Sequence, residues 1–476
     1  MSDRALGTGA YKGANVRIGS VIRGPIHPNE ACPRFTNLLV RQFPNPPNLQ
    51  ILLQSYKAQS IILLFIWVVS MIVSAEFVLT IAMIALLLLA LLELKIEGPN
   101  VRLTWRESLR ENFRKYGSYK AWLAVSLLFL VVLISAAWSG DGSYTVERLR
   151  IKLPFLVLPF AFVSMPALRK REIFTIFYFL LTMMFVLSLY VFMNFVANFD
   201  AIMASISRGG HLPTPSNHIR FSLTLAFAIT GGLALCVEKF HLKQTFERYL
   251  IAGMTLFLFV FIHILSVRSG IVALYLGLFV LSGYYVFAKK KYLAGFAGIL
   301  MLIALPVIAY FTVPSFKLKV NYAQWDYLQF RQGTGGQYPD SERLISMKTG
   351  LDIGNANPLL GVGAGDLKQT VQEVYEKEYA GRYNFRMPHN QLISVYAGTG
   401  LFGLAVFLTG FFYPLFYKRN YRQPLFLAFH AIVFMSFLVE NTLENNFGIS
   451  LYLFFLLVGL NYLSNQEQQI PEPEIP

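Results

Sequence analysis

The sequence predicts an all-α polytopic membrane protein of about 12 transmembrane helices, with one large extracytoplasmic helical loop between spans 9 and 10. Three observations carry this reading. The 476 residues are 55% hydrophobic and only 14% charged, where a soluble domain carries about 25% charged residues. Apolar runs of roughly 20 residues, the length that crosses about 30 Å of hydrocarbon, recur along the chain. Basic residues fill every second connection between those runs, the bias expected of cytoplasmic loops.

Taken in order, residues 1–56 are a polar tail carrying Arg4, Lys12, Arg17, Arg23, Arg34 and Arg41. The tail lacks the apolar stretch of a signal peptide and is expected to be cytoplasmic and poorly ordered. Residues 57–312 hold spans 1–9, at 58–74, 77–94, 119–139, 151–167, 173–196, 217–237, 249–266, 269–288 and 292–312. The first two, separated only around Glu76, form either a hairpin or one broken span, and Pro154 and Pro159 favour a kink in the fourth. Residues 390–464 hold the last three spans, at 390–416, 424–440 and 447–463, and 465–476 form a short tail. The even connections carry Arg102, Arg106, Arg110, Arg114 and Lys115, then Arg169 to Arg171, then Lys239, Lys243 and Arg248, then Lys289 to Lys291, then Lys418, Arg419 and Arg422. These connections and both termini are therefore assigned to the cytoplasm. Much of the formal charge of +15 is located there. The cysteines, Cys32 and Cys236, suggest neither a disulfide nor a metal site.

The loop at 313–389 is too long to be a simple connection, and it looks ordered. Ser341 is expected to cap a helix from near Glu342, NPLLGVGAGD makes a glycine-rich turn, and Asp366 is expected to cap a second helix ending at Gly381.

Cations on the outer side run against the charge bias: Arg148, Arg150 and Lys152 at the start of span 4, Arg208 and His211 in the next outer loop, His218 and Arg220 opening span 6, and Arg268 between spans 7 and 8. Singly, each is explained by a side chain reaching for the interface or by a structural ion pair. Collectively, with Glu147, Glu440 and Glu444 as the candidate acidic partners, they suit a lipid-linked phosphate or pyrophosphate, whose oxygens match the guanidinium fork. His389 follows Pro388 at a helix start, where the positive end of the helix dipole favours a neutral, proton-accepting imidazole. Asn390 and Gln391 are placed either to bind sugar hydroxyls or to hold that imidazole. Gly400 and Gly403, three apart, read as a close helix-packing face.

The run His389-Asn390, nine further residues, then Gly400-x-x-Gly403 resembles the signature of the O-antigen ligase family. SERLISMKTGLDIG followed by NPLLGVGAGDL resembles that family's arginine, amphipathic helix and P-L-L-G-x-G segment, and LSVRSG resembles its serine–arginine–small motif, with Val267 intervening between Ser266 and Arg268. The resemblance spans roughly residues 215–460. It implies an integral GT-C type glycosyltransferase of the inner membrane with its site on the periplasmic side. Such an enzyme takes an undecaprenyl-pyrophosphate-linked glycan as donor and, in a ligase, lipid A–core oligosaccharide as acceptor. It also implies no metal or other cofactor, and the expected partners are these glycolipids and membrane lipids, with no nucleic acid. On this resemblance Arg268 and His389 are the catalytic candidates, Arg343 matches the loop arginine, and Arg220, with Arg150, Lys152 and His218, would help hold the pyrophosphate. Two alternatives stand beside it: an O-antigen or exopolysaccharide polymerase using the same donor, and a lipid-linked glycan transporter, against which the absence of an internal repeat and the single one-sided loop argue.

Overall fold

A computed structural model describes residues 55–97, 100–288, 290–333, 338–379 and 381–467. Cys32 and all but the last two residues of the predicted 1–56 tail lie outside the described residues, as do Lys289 and residues 468–476.

Helix α1 (Tyr56–Ile72) is capped by the Ser55 hydroxyl, which accepts from Ala58 N at 3.3 Å, and packs on α2 (Glu76–Leu91). The turn between them holds Ser74 at φ 57°, so the first apolar region is a hairpin. An antiparallel ribbon that sequence reading missed follows: β1 (Leu92–Glu97) pairs with β2 (Asn100–Trp105). Its alternating LELKIE pattern, a strand signal, is fused to the preceding apolar run and was absorbed into it. Short α3 (Leu109–Ser118) leads into α4 (Lys120–Ser135).

The predicted fourth span is two pieces, α5 (Gly142–Lys152) and α6 (Pro154–Ser164). Proline has no N–H to continue α5 and its fixed φ suits a first helical position, so Pro154 ends one helix and starts the next. Pro159 lies inside α6. The chain continues through α7 (Lys170–Ala197), α8 (Phe199–Ser207), α9 (His218–Val237), α10 (Glu247–Leu265), α11 (Arg268–Phe287) and α12 (Tyr292–Thr312). After the loop come α16 (Gln391–Phe416), α17 (Pro424–Val439) and α18 (Asn446–Glu467).

Among the described residues eight helices are long and apolar enough to cross a membrane: α4 with the 3-10 turn that carries it on to Trp138, α7, α9, α10, α11, α12, α16 and α18. Helices α1, α2 and α17 are also apolar but have 16 or 17 residues. Helix α18 is the hub, with 89% of its apolar window buried against 11% for peripheral α12. Around it Phe455 stacks on Phe227 with centroids 4.2 Å apart and on Phe177 at 5.8 Å. Phe287, Leu293 and Phe311 point outward, more than 70% exposed, as lipid-facing side chains do in a chain whose apolar periphery meets hydrocarbon rather than water. This is a mostly helical, multi-pass membrane protein.

The segment 313–389 contains α13 (Pro314–Arg331), α14 (Pro339–Ala356) and α15 (Leu367–Val374). The first was not anticipated. The second starts three residues before Glu342, and Ser341 does not cap it. Asp326 of α13 does, accepting from Asp340 N at 2.9 Å, Ser341 N at 3.3 Å and Ser341 Oγ at 2.6 Å. Asp366 precedes α15 as expected but leaves it uncapped, because its carboxylate accepts from Gly140 N at 2.8 Å and Asp141 N at 2.7 Å in the α4–α5 turn. Helix α15 passes into a wider π turn over Tyr375–Tyr379, short of Gly381. A small core of Ile345, Ile353, Leu367, Val371 and Tyr375 holds α14 and α15 against Ala397 of α16.

Candidate functional site

Helix α16 is broken near its first third, and the break organises the site. Gly400 sits at φ 65°, ψ −169°, a region open essentially to glycine alone. There the helix gives up its own hydrogen bonds to the glycine-rich turn. Val362 N and Gly363 N donate to Ala397 O and Gly398 O at 3.1 and 2.9 Å, while Leu401 N and Phe402 N donate to Pro358 O and Leu359 O at 2.8 and 3.2 Å. Backbone exposed by a break at membrane depth is tolerated where protein satisfies it in this way. A β-carbon on Gly400 would lie 2.2 Å from the Leu359 carbonyl, and one on Gly361 (φ +67°) 2.4 Å from Thr399 N. Gly400 therefore serves a helix–loop splice in place of the expected packing face, while buried Gly403 is close-packed, since a β-carbon there would meet the Thr399 side chain at 2.0 Å.

Two tight junctions deliver cations to one region. Ser266, in the left-handed conformation at φ 56°, turns α10 into α11 within two residues, so Arg268 becomes the first residue of α11. Its hydroxyl is held by His263 O at 2.6 Å, and Gly270 lets α11 approach Ser222 of α9, where a β-carbon would meet that side chain at 2.4 Å. Arg268 Nη2 donates to Asp340 Oδ1 at 2.7 Å, and Arg343 Nη1 lies 3.7 Å from the same oxygen. Beside them Lys319 of α13, nearly buried, donates to Gly209 O and Gly210 O and lies 3.2 Å from His211 Nδ1. His211 stacks on His218 with centroids 3.7 Å apart. Burial brings Lys319 down to about 8, with Arg268 and Arg343 pushing the same way and Asp340 opposing. Burial, then Lys319, His218, Arg343 and Arg268, press His211 down to about 3. The cluster is thus cationic through its arginines and Lys319, with neutral His211.

His389 lies at the N-terminal mouth of α16. Its amide donates to Ser346 Oγ of α14 at 3.2 Å, and its Nδ1 is 3.0 Å from Met387 O. A carbonyl only accepts, so Nδ1 carries the proton and Nε2 is the basic nitrogen. Nε2 has no hydrogen-bond partner among the described residues. Burial lowers this imidazole below its ordinary 6.5, Arg343 and Arg386 add to that, and Glu440 and the Met387 carbonyl oppose. Arg343 is felt by both His389 and His211, which joins the imidazole to the cationic cluster. Glu440, at the end of α17, keeps a buried Oε2 without a hydrogen-bond partner among the described residues.

The remaining candidates divide. Asn390 caps α16, accepting from Leu392 N and Ile393 N at 2.9 and 3.1 Å and donating to Leu438 O at 3.1 Å. Gln391 is fully buried, and both ends of its amide are taken, by Glu444 Oε1 and Leu443 N at 2.8 Å each. Both residues hold the mouth of α16 in shape, and the expected contact of Gln391 with a substrate is replaced by this support. Lys152 is buried on Glu444 Oε1 at 2.7 Å, and Arg148 reaches Glu444 Oε2 at 3.5 Å. Burial alone would raise the Glu444 carboxyl, but Lys152, Gln391 and Arg148 hold it below the usual carboxylate range. Lys152 is thus committed to an internal ion pair, not aligned with Arg268. Arg220 lies over the Phe447 ring at 5.4 Å with Glu76 at 3.7 Å, and no contact ties it to Arg268 or Arg343 among the described residues. Arg150 is exposed and joins none of these groups among the described residues. A cavity of about 230 Å³ opens beside the Arg148–Lys152–Glu444 group, lined also by Tyr144, Met387 and Ser394. Among the described residues no group of three or more His, Cys, Asp or Glu side chains is arranged to hold a metal.

Sequence reading missed Lys319 and Asp340. The only signal for Lys319 was a basic residue within the long loop, and Asp340 was hidden by the expectation that α14 begins after it.

Residues 253–408 match the family model described as O-Antigen ligase. The resemblance drawn from the motifs is shown over this segment, about a third of the chain, which runs from α10 through the splice in α16 and contains Arg268, Lys319, Asp340, Arg343 and His389. The chain is a membrane protein with a segment of O-antigen ligase type. No curated protein matches it.

Proposed function

We propose that the protein is a metal-independent, inverting glycosyltransferase that moves a glycan from a polyprenyl-pyrophosphate carrier to lipid A–core oligosaccharide at the periplasmic face of the inner membrane. The polyprenol is taken to be undecaprenol, and the chain to cross the bilayer twelve times with both termini cytoplasmic. One observation carries the reading: Arg268 and Arg343 converge on a single carboxylate oxygen next to an imidazole whose basic Nε2 is uncommitted among the described residues. A carboxylate oxygen held by two guanidinium groups stands in for a diphosphate oxygen.

In this mechanism the donor pyrophosphate displaces Asp340 and takes up Arg268 and Arg343, with Lys319 adding charge. The acceptor hydroxyl oxygen attacks the anomeric carbon from the face opposite the pyrophosphate. The carbon–oxygen bond to the diphosphate breaks, and its electron pair stays on the leaving group. His389 Nε2 takes the hydroxyl proton, and Glu440 stabilises the imidazolium. The arginines act most strongly as charge grows on the leaving oxygen, which is when stabilisation accelerates the step.

The test supplies purified protein with a polyprenyl-pyrophosphate glycan and lipid A–core. Glycan on lipid A–core is expected, and His389→Ala should lose at least a hundredfold in turnover while still binding donor. Lengthened polyprenyl-linked chains in place of glycosylated core would select a polymerase. Transfer by His389→Ala at the parent rate would overturn the assignment of the base.

A further inference from the structure

At the end of the helix bundle away from Arg268 and His389 lies a second, larger cavity of about 470 Å³. Helix α4 starts beside it at Tyr119–Trp122, while the α4–α5 turn beyond the other end of α4 meets Asp366 of the loop. Sixteen helical residues separate the two ends, about 24 Å at 1.5 Å per residue. No step of the proposed reaction uses this cavity.

We infer that it binds the phosphate group of a phospholipid. Four features converge on it. Lys115 of α3, paired with Glu111 at 2.8 Å, and Lys418 of the α16–α17 turn, over the Tyr119 ring at 5.5 Å, both line it, so two cations face a single carboxylate. The first turn of α4 also faces it, with no side-chain cap and no acidic residue, and an uncapped helix start offers backbone N–H groups and positive dipole to an anion. The hydroxyl of Ser164, a residue nine-tenths buried in the cavity wall, has no hydrogen-bond partner among the described residues; an orphaned buried polar atom is costly. Lys418 and Arg419 both sit in the left-handed region, at φ 45° and 64°, and two successive non-glycine residues there are held at a cost that commonly marks a functional turn. Asn112 and Asn465 also line it, each amide donating one hydrogen elsewhere, to Ser108 Oγ at 3.2 Å and Asn461 O at 2.6 Å, and keeping a second.

Position argues for a lipid source. Helix α3 carries exposed Arg110 and Arg114 on one side and exposed Phe113, stacked on Phe160 at 4.4 Å, on another. A short basic helix with an exposed ring is built to lie in a headgroup layer.

The full chain in detergent micelles is titrated with dioleoyl phosphatidylglycerol, with dioleoylglycerol, and with inorganic phosphate, and bound species are counted by native mass spectrometry. Phosphatidylglycerol is expected to bind and dioleoylglycerol not. Lys115→Gln and Lys418→Asn, the latter keeping a residue that tolerates the left-handed turn, should each weaken binding about tenfold, and Lys115→Arg should restore it. Ser164→Ala, a change that removes only the hydroxyl, should weaken it several-fold. Competition by millimolar inorganic phosphate would identify the phosphate ion as sufficient; lysine-dependent lipid binding that phosphate does not displace would identify the membrane lipid, and either supports the site. Binding of dioleoylglycerol as tight as phosphatidylglycerol, or equal binding by parent, Lys115→Gln and Lys418→Asn, would overturn it.

Discussion

Gly400→Ala tests whether the splice between α16 and the glycine-rich turn holds the site together. The new methyl would sit 2.2 Å from the carbon and oxygen of the Leu359 carbonyl, and those are backbone atoms that cannot swing aside. The conformation at φ 65°, ψ −169° costs a non-glycine residue on the order of 1–3 kcal/mol. Relief requires the turn to back away, which breaks the four backbone bonds between 358–363 and 397–402. At about 1 kcal/mol net apiece, the four bonds lost come to roughly 4 kcal/mol. At 1.4 kcal/mol per decade that is nearly a thousandfold in the docking equilibrium. Hydrogen exchange reads this directly: the Val362 and Gly363 amides should lose about three orders of magnitude of protection. Gly253→Ala is the control, since a β-carbon there meets nothing and alanine favours a helix interior by about 1 kcal/mol. If Val362 and Gly363 exchange as slowly in Gly400→Ala as in the parent, the break is not held by the turn and the account of the motif fails.

Three further outcomes follow from the charges. Because the folded-state pKa of His389 is depressed below 6.5, the neutral base persists as pH falls through 6.5. The acid limb of the rate profile should therefore have its midpoint below that value, and a midpoint above it would contradict the burial argument. Asp340→Asn removes the carboxylate that competes for Arg268 and Arg343, so inorganic pyrophosphate should bind about tenfold more tightly; weaker binding would show that Asp340 mainly positions the arginines. Lys152→Met strands Glu444 with only Gln391 and the 3.5 Å contact to Arg148. Breaking such a buried pair costs about 3 kcal/mol, which should lower the thermal unfolding midpoint by several degrees; an unchanged midpoint would mean the pair contributes nothing. The depressed Glu444 contributes stability present above the usual carboxylate range and lost as pH falls through its folded value, so the deficit in Lys152→Met should shrink toward acid pH.

Sequence revealed the parts of the fold that depend on length and composition. An apolar run long enough to cross a bilayer reads the same whatever it packs on, so the helices around α18 were legible, and so was the mouth of α16 with its Pro388–His389 start. What local pattern could not show were contacts made at a distance. Lys319 finds its acceptors at Gly209 and Gly210, more than a hundred residues away. Asp366 looked like a helix cap because nothing near it in sequence announces the Gly140 and Asp141 amides. The same holds for Gly400, since glycines three apart fit a packed helix face and a broken helix equally well, and only the backbone of 358–363 lying alongside Gly400 decides between them. By charge and side of the membrane alone Lys152 and Arg268 look alike, and only the family motif ranks Arg268 higher; the structure gives the physical difference, with Glu444 under one and the partly exposed Asp340 under the other.

That last contrast bears on how the site would work. His389 is fixed from three directions: its amide by Ser346 of α14, Asn390 by Leu438 at the end of α17, and Gln391 by Leu443 and Glu444 before α18. None of these bonds need break for a substrate to enter, so the base is preorganised and costs no reorientation during the reaction. The arginines differ. Arg268 is nearly half exposed, and its partner Asp340 is held through its backbone by Asp326, so that among the described residues its carboxylate is bound by the two arginines alone. A rigid base beside an exchangeable anion clamp fits a reaction in which the charged group must arrive, be held most tightly as its bond breaks, and then depart. Under the proposed reading Asp340 serves the last stage, returning to the arginines as the spent polyprenyl pyrophosphate leaves. The tighter pyrophosphate binding expected of Asp340→Asn should therefore come with slower multiple turnover and an unaltered first turnover, a combination that a purely structural role for Asp340 would not produce.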